Sequence, residues 1–63
     1  MDPTDRLFRK ARDYEILAAS HAERAGLAGG DGAEYSKAAI AFTLAAIVLR
    51  EVAAAVDDQA EAA

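Results

Sequence analysis

The chain has 63 residues, a net charge of −4, one histidine and no cysteine. A chain this short buries only about 60% of its unfolded surface, so it needs a staple. Disulfides, thiolate zinc sites and histidine-rich metal sites are excluded by composition, and the acidic balance disfavours nucleic acid and anionic membrane surfaces, which leaves a partner subunit as the staple.

The first predicted element is a helix over residues 3–25. Asp2 is placed as its N-cap, with Pro3, the only proline, at the first helical position and Asp5 three residues after the cap. On a helical wheel Leu7, Ala11, Tyr14, Ala18, Ala22 and Ala25 share one face, with Phe8 at its flank. Gly26 followed by Leu27 reads as a Schellman stop with its hydrophobic contact. The glycine-rich turn spans 26–32, including Ala28-Gly29-Gly30-Asp31-Gly32. It follows a helix rather than a strand and lacks the lysine and serine of a phosphate-binding loop, so it reads as a stop and restart. Asp31 and Glu34 suggest a second capping box. A short turn between two helices predicts an antiparallel hairpin.

The second predicted helix covers residues 33–58 and carries two apolar seams. Tyr35, Phe42, Leu49 and Val56 recur every seven residues, accompanied by Ala38, Ala45 and Val52 three residues after the first three. Ile40, Leu44, Ile47 and Ala54 form the other seam, roughly 150° away around the helix. One seam can face the first helix; the other has no partner in the chain. Both seams together are the candidate association surface, and the sequence does not choose which one faces inward. The tail over 59–63 places acidic residues at a helix C-terminus, against the dipole, and is expected to fray.

Four groups of side chains could carry chemistry. Arg6, Arg9, Lys10 and Arg12 form a basic cluster able to contact an anion, or to face Glu51, Asp57 and Asp58 across an antiparallel hairpin. Glu15 falls within the apolar arc between Phe8 and Ala22 and is expected to pair with Lys37 or Arg50. His21 sits at the opposite edge near Tyr14. It is six residues from Glu15, which does not fit the Glu-x-x-His spacing of four-helix di-metal sites. Ser20, Ser36 and Thr43 are isolated hydroxyls without the adjacent base and orienting group that nucleophilic catalysis needs. Thr43 can bond a backbone carbonyl within its own helix. Ile16 stands among the charged residues of the first helix, and Leu17 on another flank could extend the helix contact.

The segments Ala11-x-x-Tyr14, Ala18-Ala19-Ser20-His21-Ala22 and Tyr35-Ser36-Lys37-Ala38-Ala39 resemble those of the very short alanine-rich helical hairpins of actinobacteria and their phages. The resemblance implies a helical-hairpin fold and no particular chemistry. The reading is therefore an all-α, two-helix antiparallel hairpin that assembles into a homo-oligomeric helical bundle, a dimer favoured. Its expected role is non-enzymatic: self-association and docking on a partner protein. The alternative is a binder of small, nucleotide-like anions using Arg6, Arg9 or Lys10 between protomers. No cofactor or metal is expected. The longest uncharged run, Ala38 to Leu49, is about 18 Å as helix and short of a membrane span. The polar, charged first residues do not read as a signal peptide, so a cytoplasmic location is expected.

Overall fold

The computed structural model describes the backbone of residues 2–27 and 29–62, and side chains as far as Ala60. Ala28 of the expected turn, Ala63 of the tail and the side chain of Glu61 lie outside the described residues. Two helices and a single 3-10 turn account for the architecture: α1 over Pro3–Leu27, the turn over Gly29–Asp31, and α2 over Gly32–Ala62. The helices lie side by side and antiparallel, because late residues of α1 meet early residues of α2: His21 packs on Tyr35, and Tyr14 on Phe42. The molecule is a rod of 52 × 17 × 10 Å.

The start of α1 is fixed by Asp2. Its Oδ1 accepts the Thr4 backbone N–H at 3.0 Å, satisfying one of the amides that a helix start leaves without a partner, and its carbonyl accepts the Arg6 N–H at 3.1 Å, the first bond of the helix itself. The far end differs from expectation. The helix runs through Gly26 to Leu27 rather than stopping at 25, and Leu27 is 88% exposed instead of closing a hydrophobic contact. The left-handed residue that turns the chain is Gly29, at φ 50°, where the absence of a Cβ removes the steric penalty. The second helix is likewise longer than expected, beginning at Gly32 and continuing to Ala62 rather than ending at 58. Alanines at 60 and 62 are strong helix formers, and no proline or glycine follows Gly32 to stop it.

Packing follows a seven-residue repeat. In α1 the covered positions are Thr4, Leu7, Ala11, Tyr14, Ala18, His21 and Ala25. In α2 they are Gly32, Tyr35, Ala39, Phe42, Ala46, Leu49, Ala53 and Val56, with Ala38 and Ala45 beside them. Both series alternate three- and four-residue steps, the pattern that keeps one seam facing a neighbour along a coiled pair. Small residues occupy every other step, and they are the buried ones: Thr4, Ala11, Ala18, Ala39, Ala46 and Ala53. Large residues on the intervening steps cover the sides of the seam. Tyr14 stacks on Phe42 with centroids 5.7 Å apart, and His21 lies 5.1 Å from the Phe42 ring and 6.0 Å from Tyr35.

The Tyr35, Phe42, Leu49 and Val56 seam therefore faces α1. Two details of the expected packing change. The small residues that pack in α2 follow the aromatic seam by four residues (Ala39, Ala46, Ala53) rather than three, and Val52 is exposed. In α1, His21 rather than Ala22 continues the seam. A heptad repeat drifts about 20° per seven residues from the 3.6-residue wheel, so a straight wheel misassigns residues near the end of a long helix. No large side chain is fully buried among the described residues. The hairpin has close-packed helices and very little interior.

Candidate association surface

Opposite the seam, α2 exposes its other apolar residues. Ile40, Leu44 and Val48 are 61%, 57% and 55% exposed, with Ile47 and Val52 close behind. The inner and outer faces of α2 are both apolar, as expected for a helix meant to be covered all round; α1 covers only one. Leu44 lies near the middle of the outer stripe. Lys37 and Glu51, both exposed, stand seven residues to either side of it. Between them the face carries no charge except Arg50, which turns away toward α1.

Arg50 donates to Glu15 across the hairpin, the single ion pair among the described residues. Of the two partners expected for Glu15, the fold brings Arg50 and not Lys37. The register places Lys37 level with the C-terminal part of α1 and on the outer face, beyond reach of Glu15. Beside the ion pair runs an apolar groove of about 480 Å³, lined by Glu15, Ala18, Ala22, Ile40, Thr43 and Leu44 among others. Thr43 spends its hydroxyl on the Ala39 carbonyl at 2.8 Å. The groove therefore presents methyl groups and one carboxylate edge, which suits an apolar side chain and opposes an anion.

The basic cluster does not converge. Arg6, Arg9, Lys10 and Arg12 are all exposed, and at 100° per residue they spread over about 160° of α1. Lys10 Nζ lies 5.7 Å from the centroid of the Tyr14 ring, a cation–π contact within the chain. The expected pairing with Glu51, Asp57 and Asp58 does not form among the described residues. Glu51 points away from α1 on the outer face of α2, and the register carries Asp57 and Asp58 beyond the level of Pro3.

His21 donates from Nδ1 to the Leu17 carbonyl at 2.8 Å, since a carbonyl oxygen can only accept. With its ring against Tyr35 and Phe42 it acts as a packing residue of the seam. Among the described residues no group of three or more histidine, aspartate or glutamate side chains could hold a metal ion. Ser20 and Ser36 are exposed and lie on different helices. Ile16 is 59% exposed on the far side of α1, and Leu17 is 40% exposed instead of extending the helix contact.

By length and composition α2 is apolar enough to cross a membrane, with a mean hydropathy of 2.0 over its most apolar 18-residue window. The wholly uncharged run within it is Ala38 to Leu49. No protein-family model matches the chain, and no curated protein or solved structure matches it.

Proposed function

We propose that the protein is a small non-enzymatic interaction protein that works through the outer face of α2, by self-association and by docking on a partner protein. One observation carries this reading. Among the described residues the hairpin buries only alanines and a threonine, while Ile40, Leu44 and Ile47, three of its large aliphatic residues, stay exposed. A buried CH₂-sized group contributes about 0.8 kcal/mol, so the interior offers little to offset the entropy of ordering the chain. Covering the outer face supplies the missing apolar contact.

A cytoplasmic setting belongs to the same proposal, because Lys37 and the Arg50–Glu51 pair bracket the apolar run at less than bilayer thickness. The inner seam (Tyr35, Phe42, Leu49, Val56) maintains the hairpin, and the outer one (Ile40, Leu44, Ile47) is the working surface.

Sedimentation velocity and circular dichroism on two variants test this division. Leu44→Asp should lower the sedimenting mass, or abolish capture of the partner, while the helices remain. Phe42→Asp should remove the helical signal itself. A Leu44→Asp chain with unchanged mass and unchanged thermal stability would show that the outer face is covered by nothing.

A further inference from the structure

We infer that the occupant of the outer face of α2 is a second copy of this chain, laid antiparallel across it with Leu44 on the two-fold axis. This rests on the association reading above and adds its partner and geometry. The face is symmetric about its own centre. Lys37 and Glu51 lie on the same side of α2, seven residues before and seven after Leu44, and neither forms an ion pair within the chain among the described residues. An antiparallel copy centred on Leu44 brings Lys37 of each chain level with Glu51 of the other. The two resulting pairs sit at the ends of an apolar patch about 21 Å long, at 1.5 Å per residue.

Between them, Ile40 of one chain falls level with Val48 of the other, and Leu44 meets its own copy. This is the self-complementary surface that a two-fold interface requires, the same patch serving on both sides. A parallel arrangement places Lys37 on Lys37 and Glu51 on Glu51, repulsive at both ends. A heterologous helix or a lipid surface supplies no reason for the charges to mirror each other about the centre of the patch. Because α1 covers the opposite face of α2, the dimer has its two α2 helices inside and its two α1 helices outside, in one layer rather than a square bundle.

Charge reversal with rescue tests the pairing. Sedimentation velocity across micromolar concentrations would compare the full chain with Lys37→Glu, Glu51→Lys and the double variant. Each single reversal turns two attractive contacts into two repulsive ones and should raise the dimer Kd about tenfold. The double reversal exchanges the roles and should restore the original Kd. Lysine and glutamate have similar helix propensities, and circular dichroism on each variant separates lost pairing from lost helix. Single variants with an unchanged Kd, or a double variant no tighter than the singles, would overturn the antiparallel pairing while leaving self-association intact. A wild-type chain that stays monomeric throughout would overturn both, and the face would then belong to a heterologous helix or a lipid surface.

Discussion

Gly32 stands against the carbonyl of Ala25 so closely that a Cβ at position 32 would lie 3.0 Å from the Ala25 oxygen. The contact fixes how the helices meet at the turn. Seven residues further from the turn on each helix, Ala39 comes level with Ala18; the next step pairs Ala46 with Ala11, and the last pairs Ala53 with Thr4. Gly32→Ala should therefore lower the unfolding temperature although alanine is the better helix former, at a cost of about 1 kcal/mol or more. Gly26 is the control. It lies within α1, has no positive φ and has nothing within 4 Å of an added Cβ, so Gly26→Ala should stabilise by about 0.5–1 kcal/mol. Thermal melts at one fixed protein concentration would read both. Equal melting of wild type and Gly32→Ala would mean that the helices have slack at the turn.

The alanine layers predict intolerance of volume. Ala46 is 2% exposed and Ala11 is wholly buried, so Ala46→Leu should force the helices apart and cost about 1–3 kcal/mol. The same change at Ala55, exposed on the outer side of α2, should leave hairpin stability nearly unchanged. Urea titrations with a common m-value would separate the two. A stabilised Ala46→Leu chain would refute the close approach of the helices.

The Glu15–Arg50 pair should matter less than its position suggests. Both side chains are about half exposed, 49% and 46%, and pairs in such settings contribute under about 1 kcal/mol. A double-mutant cycle with Glu15→Gln and Arg50→Gln should give a coupling below that level, reduced further by added salt. A coupling of several kcal/mol would show that the pair is desolvated, for instance by a second chain closing over the groove.

Cysteine cross-linking offers a geometric check on the dimer in a chain that has no cysteine of its own. Leu44→Cys should oxidise readily to a disulfide-linked dimer, because the two-fold axis sets the residue against its own copy. Ile40→Cys should not, because an antiparallel copy displaces the two thiols by eight residues, about 12 Å, beyond the roughly 7 Å limit between bridged Cα atoms. Efficient cross-linking at both positions would indicate a parallel pair.

The two helices were legible because their punctuation is local: Asp2 and Pro3 at one end, glycines in the middle, alanine between. The two seams of α2 were legible from spacing as well. Which seam turns inward was not, since both are apolar and hydrophobicity alone does not rank them. A row of small residues decides it. Gly32, Ala39, Ala46 and Ala53 form an unbroken small line opposite Thr4, Ala11, Ala18 and Ala25, whereas the neighbouring row Ala38, Ala45 and Val52 ends in a branched side chain. In so alanine-rich a chain that line is hard to distinguish from background. The choice of Arg50 over Lys37 for Glu15 likewise follows from register, which no single helix contains.

A core made of methyl groups also changes what dilution does to the molecule. Alanine loses almost no rotamer freedom on burial, but ordering the backbone still costs about 1–2 kcal/mol per residue, so closing the hairpin leaves little net gain. Its margin of stability then depends in part on whatever covers Leu44, and rises with the abundance of that neighbour by mass action. Lowering the concentration acts on such a chain as a mild denaturant, and exposure to proteolysis becomes a measure of how much of its partner is present.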